Sequence, residues 1–194
     1  MSPAPWLDLA RTAVALLAGY LAGSLPVAAW VGRATGVDVA ADGDANPGSA
    51  NVWKLAGPGW GALALAGDLA KGMLPVALAI VTFSWWTGWA AGFGVLVGAG
   101  WPALGRWRAG RGVAAMAGVC LGLAPLAGGV AALLALAVAL VARLLGRNGR
   151  IAAIATGFAA YPVLFLVEEL DLARLAGLGI LFLVAVGRYL ATRR

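Results

Sequence analysis

Residues 112–142 read GVAAMAGVCLGLAPLAGGVAALLALAVALVA, a run of 31 residues without one charged side chain. A membrane-spanning helix needs about 20 apolar residues, so this run is too long for a single span. Pro125, Gly128 and Gly129 lie near its middle, and these residue types favour turns. The run therefore predicts a helical hairpin of two membrane spans that turns between Pro125 and Gly129.

The rest of the chain has the same apolar character. Of its 194 residues, 62% are hydrophobic and 11% are charged, and the mean hydropathy is +0.91. Soluble domains average about 45–50% hydrophobic and about 25% charged residues. A soluble domain of this size cannot bury so much apolar surface, and disordered chains are polar. We therefore expect an all-α, polytopic integral membrane protein that forms one domain over residues 1–194.

The composition also argues against several classes of function. The chain has no histidine and one cysteine, Cys120, so it lacks the usual ligand sets of zinc and haem and the most common catalytic base. We expect no metal and no cofactor. The net charge of +6 lies at the ends of apolar runs, which is typical of membrane topology and not of nucleic-acid binding. Residues 1–20 lack the basic region and cleavage site of a signal peptide, so we expect the first span to be retained.

Apolar runs between charged segments give a count of seven spans. The predicted spans are residues 9–31, 52–83, 88–101, two within 112–142, 151–167 and 172–186. The basic segments 102–111 and 143–150 and the basic C-terminal tail then share the cytoplasmic side, whereas the acidic turn 168–171 lies outside. The N-terminus is predicted outside, the C-terminus in the cytoplasm, and the polar stretch 32–51 on the cytoplasmic side.

A second interpretation of residues 52–83 stays open. It makes them a hairpin of two short helices that turns near Asp68, which gives eight spans and moves residues 32–51 outside. That polar stretch contains one arginine and three aspartates, a net charge of −2 that does not assign its side. Seven spans are preferred. In the eight-span arrangement, the turn with Asp68 and Lys71 would be a cytoplasmic loop, and such loops are expected to be more basic.

The stretch VDVAADGDANPGSANVWKLAG, residues 37–57, interrupts the apolar pattern with small and polar residues. Glycine and asparagine accept left-handed backbone angles and leave amide groups able to face an anion. Lys54 adds a cation where the loop meets the next helix. The stretch therefore indicates an anion site, although a solvated surface loop shaped by turn residues has the same composition.

The stretch GWPALGRWRAGRGVAA, residues 100–115, places Arg108 and Arg111 directly before a predicted helix. Two guanidinium groups and the amides at a helix N-terminus can converge on one phosphate. The alternative is an ordinary cytoplasmic loop whose arginines meet lipid phosphates. This loop alone leaves both interpretations open.

Asp68 and Lys71 lie inside an apolar span, three residues apart and therefore on one helix face. An ionisable residue at this depth costs about 2.5–3.5 kcal/mol, so the two should neutralise each other or face a polar interior. Two roles stay open, an ion pair that locks helix to helix and a position near a substrate.

Taken in order, these motifs resemble the PlsY family, small bacterial membrane enzymes that move an acyl group from acyl phosphate to glycerol 3-phosphate. The matching motifs are Gly-Ser-Leu-Pro at 23–26, Val-Asp at 37–38, the glycine-rich signature at 43–51, Asp-x-x-Lys-Gly at 68–72, and Arg-Ala-Gly-Arg-Gly-Val-Ala-Ala at 108–115. Lys54 stands where the family has an arginine after the glycine-rich signature. Their order and spacing run through residues 20–115, and seven spans with an outside N-terminus are also the family's arrangement.

Several polar residues of the family's motifs are replaced in this chain. The replacements are Asp44 for the signature serine, Ala50 for a threonine, Ala99 for a loop histidine, and Tyr189 and Thr192 for a histidine and an asparagine near the C-terminus. The family's trailing Arg-Leu-x-x-Gly-x-Glu motif is missing. The glycines, asparagines and basic positions that grip phosphate survive, whereas most polar groups around the reacting atoms do not.

The resemblance implies a set of site residues. The implied catalytic residues are Asp44 and Asn46, and the implied substrate-binding residues are Gly43, Gly48, Asn51, Lys54, Arg108, Gly110, Arg111, Gly112 and Arg188, with Asp68 and Lys71 as a structural or near-site pair. A carboxylate about 4 Å from a phosphate charge costs about 4 kcal/mol at an effective dielectric of 20, so Asp44 needs a proton or a nearby arginine. Alternatively, Asp44 takes the proton of the substrate hydroxyl as a general base.

The function that the resemblance implies is acyl transfer to glycerol 3-phosphate, which gives lysophosphatidic acid for phospholipid synthesis in the bacterial inner membrane. The implied partners are acyl phosphate, glycerol 3-phosphate, membrane lipids and a soluble enzyme that produces acyl phosphate. One alternative is a paralogue that kept the fold, lost the chemistry, and binds an anionic lipid or phosphorylated metabolite or regulates an acyltransferase. Another is a small transporter, supported by the broken spans and the Asp68–Lys71 pair.

Overall fold

The computed structural model describes residues 5–103, 110–168, 179–181 and 183–184, and their regular structure is helical. Eight helices lie within residues 5–103 and 110–168. They are α1 (Pro5–Gly23), α2 (Val27–Ala34), α3 (Ser49–Ala56), α4 (Pro58–Thr82), α5 (Trp85–Gly100), α6 (Val113–Leu123), α7 (Pro125–Leu144) and α8 (Arg150–Glu168).

The helix breaks near the N-terminus follow local sequence signals. The Gly-Ser-Leu-Pro motif separates α1 from α2, because Pro26 has no amide proton to continue the helical ladder. The gap between the predicted spans 52–83 and 88–101 is present but shorter than predicted, residues 83–84, because Ser84 and Thr87 form a capping box that starts α5 at Trp85. In contrast, α4 continues through Asp68 without a turn, so the hairpin alternative for residues 52–83 is wrong.

The long apolar run is divided one position earlier than predicted. Ala124 separates α6 from α7, and Pro125 occupies the first turn of α7. Proline is tolerated at that position because the first amides of a helix have no intrahelical acceptor. Gly128 therefore lies within α7 and takes no part in the turn. The predicted span 172–186 and the acidic turn after Glu168 lie mostly outside the described residues.

The chain divides into two compact units, residues 1–123 with 181–194 and residues 124–180. In the first unit, α1 and α5 approach at backbone distance. A Cβ atom at Gly19 or Gly23 would meet the α5 backbone, and one at Gly94 or Gly98 would meet the α1 backbone. Small residues give membrane helices this close approach, which supplies van der Waals contact where lipid removes the hydrophobic driving force. In the second unit, α7 packs against α8.

Three helical segments of the described chain are long and apolar enough to cross a membrane. They are residues 5–34, which contain α1 and α2, and residues 58–82 and 125–144. In each segment, most residues of the apolar stretch are not buried inside the protein. Large apolar side chains such as Leu78 and Leu133 point outward from them. A water-exposed surface of this kind is unfavourable, whereas hydrocarbon accepts it. The predicted all-helical membrane architecture is confirmed, and the direction in which each span crosses stays a prediction.

Candidate functional site

The loop of residues 37–48, hereafter the glycine loop, folds around the side chain of Asn51 in α3. Asn51 is 0% exposed. Its Nδ2 donates to the carbonyl oxygens of Val39 and Asp42, both at 2.9 Å, and its Oδ1 accepts from the amide of Asp44 at 3.0 Å. Because both ends of the amide bind loop backbone, Asn51 fixes the shape of the glycine loop.

Two residues of the glycine loop have left-handed backbone angles. Gly43 has φ +63° and Ala45 has φ +47°. A Cβ atom at Gly43 would lie 2.5 Å from Oδ1 of Asn51, so only glycine fits there. Ala45 has no such freedom, and a left-handed angle costs a residue with a side chain about 1–3 kcal/mol. Strain of this kind is concentrated at functional sites, which makes this loop a candidate.

Asp44 and Lys54 form an ion pair that joins the glycine loop to α3. Lys54 Nζ lies 2.6 Å from Oδ1 and 2.7 Å from Oδ2 of Asp44, and the side chains of Lys54 and Asp44 are 42% and 33% exposed. The partner of Asp44 in the structure is therefore a lysine, where a proton or an arginine was expected from the sequence. Exposed pairs of this kind contribute about 0.2–1 kcal/mol, so breaking the contact between Lys54 and Asp44 costs little in itself.

The structure brings the two predicted phosphate-binding segments into contact. The amide of Arg111 donates to Oδ1 of Asn46 at 3.2 Å, across 65 positions of the sequence. Gly110 packs on the glycine loop so closely that a Cβ atom there would lie 2.8 Å from the carbonyl oxygen of Pro47. Gly112, with φ +71°, then turns the chain into α6. The first turn of α6 therefore begins beside the glycine loop.

The remaining predicted site residues are placed as follows. Gly48 precedes α3 in an extended conformation, and its amide donates to the carbonyl oxygen of Asn46 at 2.8 Å. Arg108 and Arg188 lie outside the described residues. Gly43, Asn46, Gly48, Asn51 and Lys54 thus belong to one folded unit with Gly110, Arg111 and Gly112 beside it.

The Asp68–Lys71 pair binds protein backbone. Lys71 Nζ lies 2.9 Å from Oδ1 of Asp68 and donates to the carbonyl oxygen of Leu25 at 3.0 Å. The side chains of Lys71 and Asp68 are 13% and 10% exposed. These contacts connect α4 to the break between α1 and α2, and so favour the ion-pair role of the two left open by the sequence.

Ser24 was not among the site residues predicted from the sequence. Its hydroxyl donates to the carbonyl oxygen of Tyr20 at 2.7 Å and accepts from the amide of Ala103 at 3.2 Å. Ala103 belongs to the basic segment that leads to Arg111. The only sequence signal was the position of Ser24 in a motif, because a contact across 79 positions leaves no local pattern.

The fold is that of known integral membrane proteins. It is similar to the crystal structure of PlsY, described as an integral membrane glycerol 3-phosphate acyltransferase, in its glycerol 3-phosphate form. The TM-score is 0.81 with 22% identity, covering 93% of this chain and 89% of that one. The form with lysophosphatidic acid gives a TM-score of 0.79 over 92% of this chain and 87% of that one.

Sequence comparison gives the family. The model of the family described as glycerol-3-phosphate acyltransferase matches residues 13–193, and the chain belongs to this family. A relative named glycerol-3-phosphate acyltransferase from Rubrobacter xylanophilus is 45% identical over 57% of this chain, and the match spans only 56% of that relative. Another of the same name from Desulforudis audaxviator is 36% identical over 75% of both chains. The resemblance inferred from the motifs is thereby confirmed.

Proposed function

We propose that the protein moves an acyl group from acyl phosphate to glycerol 3-phosphate and so produces lysophosphatidic acid for phospholipid synthesis. The observation that carries this proposal is the hydrogen bond from the amide of Arg111 to Asn46, which joins the two phosphate-binding segments. Family membership and the names of the relatives support the same chemistry. We place the protein in a bacterial inner membrane as a single membrane domain, with a soluble enzyme supplying the acyl phosphate.

Phosphate binding follows from an exchange of partners at Lys54. Without substrate, the ammonium group of Lys54 is held by both oxygens of Asp44. A doubly charged phosphate offers more charge and more acceptors than one carboxylate, so Lys54 moves to the phosphate. Arg111 and the first amides of α6 contact the phosphate from the other side, since a helix N-terminus favours an anion.

The same exchange releases Asp44 for proton transfer. The hydroxyl oxygen of glycerol 3-phosphate attacks the carbonyl carbon of acyl phosphate and forms the new ester bond. The bond between that carbon and the phosphate oxygen breaks, and inorganic phosphate leaves with the electron pair. The hydroxyl proton passes to the carboxylate of Asp44, which acts as the general base in the position of the family's serine. Acyl phosphate is already activated, so positioning and charge neutralisation supply much of the rate.

The other predicted residues complete this arrangement. Oδ1 of Asn46 accepts from the Arg111 amide, and we assign its Nδ2 to the acyl carbonyl oxygen as that oxygen gains negative charge. Gly43 and Gly48 let the backbone of the glycine loop approach the substrate, while Asn51 keeps the loop in shape. Arg108 and Arg188 stay predicted phosphate ligands.

A second candidate function rests on the replaced residues. Relative to the family, the chain has Asp44 in place of a serine and Ala99 in place of a histidine, while the glycines, asparagines and cations proposed to bind phosphate remain. A protein with this pattern can bind a phosphorylated ligand without transferring the acyl group, as the paralogue alternative requires. Binding and turnover must therefore be measured on the same preparation.

The test is a direct assay. We expect purified protein in lipid nanodiscs to form lysophosphatidic acid from acyl phosphate and glycerol 3-phosphate, and Arg111→Met to abolish the product. Arg143→Met, which removes an arginine from the last turn of α7, is the matched control and should retain activity. Tight binding of glycerol 3-phosphate without product would favour the second candidate, and neither binding nor product would contradict both.

A further inference from the structure

Three half-exposed tryptophans surround the part of the fold that carries the glycine loop. Trp30 of α2, Trp53 of α3 and Trp60 of α4 are 47%, 48% and 44% exposed. We call these three side chains the tryptophan surface. Behind it, the three helices share one apolar core, to which each contributes a fully buried residue, namely Ala28, Val52 and Ala64. The tryptophan surface is therefore the outside of one packed unit.

The corner between α3 and α4 fixes two of these side chains. A Cβ atom at Gly61 would lie 2.6 Å from Cα and 2.8 Å from Cε3 of Trp53, so the backbone and the ring of Trp53 pack directly on α4. Trp60 precedes Gly61 in the first turn of α4. An indole that is packed on one side and exposed on the other offers its surroundings an apolar body and an N–H donor.

The length of α4 places Trp60 at the edge of a bilayer. The 25 residues of α4 rise about 37 Å, whereas the hydrocarbon core of a membrane is about 30 Å thick. Near the other end of α4, Val81 is 85% exposed, which is favourable in hydrocarbon and unfavourable in water. The surplus of about one turn therefore lies at the Pro58 end, which carries Trp60.

The tryptophan surface also lies on the lipid-facing side of α4. Leu74 and Leu78 follow Trp60 by 14 and 18 residues, spacings close to whole numbers of helical turns, so the three side chains share one face. Leu74 and Leu78 are exposed, as expected for a face in contact with hydrocarbon. Trp60 stands where this face reaches the end of the span, and tryptophan is enriched at that level of a membrane.

We propose that the tryptophan surface binds the phospholipid headgroup layer and seats α2, α3 and the first turn of α4 in it. The indole bodies contact the upper part of the acyl chains, and the N–H groups donate to ester or phosphate oxygens of the lipid. α3 is then held from two sides, because Trp53 faces lipid while Asn51 binds the glycine loop. This inference goes beyond acyl transfer and does not depend on it.

Spin labels on the full chain in lipid nanodiscs test the depth of this surface. The single cysteine is removed by Cys120→Ala, and Trp30→Cys, Trp53→Cys and Trp60→Cys are labelled one at a time. Collisions with oxygen, which concentrates in hydrocarbon, and with a water-soluble nickel chelate give the depth of each label. We expect all three labels at the boundary of the hydrocarbon.

Two control positions bracket this expectation. A label at Leu74→Cys, about 21 Å further along α4 than Trp60, should lie at least about 5 Å deeper in the hydrocarbon. A label at Ala41→Cys, on an exposed part of the glycine loop, should be in water. Labels at Trp53 and Trp60 as accessible to nickel as Ala41→Cys would overturn the proposal, because the surface would then face water or a soluble protein. Labels as deep as Leu74→Cys would overturn it as well.

The unmodified protein provides a measurement that no misfolded variant can spoil. Lipids brominated near the headgroup end of their acyl chains should quench its tryptophan fluorescence more strongly than lipids brominated near the chain ends. The reverse order would contradict the proposal. Boundary depths in a protein that makes no lysophosphatidic acid would contradict only the proposed function.

Discussion

Two aspartate–lysine pairs of the same chemistry lie in different surroundings. Asp44–Lys54 links a loop to a helix, is half-exposed, and consists of a lysine bound by both oxygens of one carboxylate. Asp68–Lys71 lies within one helix, is almost buried, and binds a backbone carbonyl of another segment as well. The first pair can exchange partners with a charged ligand, whereas the second is part of the framework. Surroundings, and not residue type, therefore separate a binding pair from a structural one.

The largest expected effect is on stability. Lys71→Met leaves the carboxylate of Asp68 uncompensated inside the helices and removes the donor to Leu25, so we expect a loss of about 3–5 kcal/mol in the free energy of unfolding. Lys54→Met breaks an exposed pair and should cost less than about 1 kcal/mol. Denaturant-induced unfolding in detergent measures both variants.

Arg11→Met is the matched control for Lys71→Met. Arg11 pairs with Asp8 at the same three-residue spacing, at 3.2 Å, but on an exposed part of α1. Its removal should change the free energy of unfolding by less than about 0.5 kcal/mol. Equal losses for Lys71→Met and Lys54→Met would remove the distinction between the two pairs.

The next effect is on catalysis. If Asp44 is the general base, Asp44→Asn should lower kcat by at least about 100-fold, because general bases contribute that much or more. Binding of glycerol 3-phosphate should not weaken, since in this variant Lys54 does not have to break an ion pair with Asp44 before it contacts the phosphate. Steady-state kinetics and calorimetry on one preparation separate the two quantities. Unchanged kcat would eliminate Asp44 as the base and leave it only as the partner of Lys54.

A smaller effect is expected from the backbone of the glycine loop. Gly43→Ala places a methyl group against Oδ1 of Asn51 and strains a left-handed residue, so we expect a loss of about 1–3 kcal/mol and weaker substrate binding. Gly36→Ala is the matched control, because Gly36 has φ +75° but no atom within 4 Å of the position that its new methyl group would take. Stability changes that are equal in the two variants would show that the contact with Asn51 is unimportant.

Local signals made part of the helical pattern predictable, but the break at Gly57 between α3 and α4 lies inside the predicted span 52–83. Proline at 26 and the serine and threonine at 84 and 87 mark breaks through their own backbone chemistry. The predicted turn at 125–129 was misplaced because proline also begins helices, and α7 starts at Pro125 itself. The sequence pattern alone did not distinguish these two uses of proline.

The site was only partly predictable, because its contacts join distant residues. The glycine-rich composition indicated an anion loop, but not that Asn51 would hold it through three hydrogen bonds. Asp44 was expected to need a neutralising partner, and only the fold showed that Lys54 reaches both of its oxygens. The contact of Arg111 with Asn46 likewise joins residues that are 65 positions apart in the sequence.

In the proposed mechanism, Lys54 and Arg111 bind one phosphate. The most direct measurement is calorimetric titration of glycerol 3-phosphate into the wild type, Lys54→Met, Arg111→Met and the double variant. We expect each single substitution to raise the Kd about 10-fold, and the double variant to raise it by clearly less than the product of the two, since both cations act on the same group. A single substitution without effect on the Kd, or two effects that multiply fully, would contradict a shared ligand.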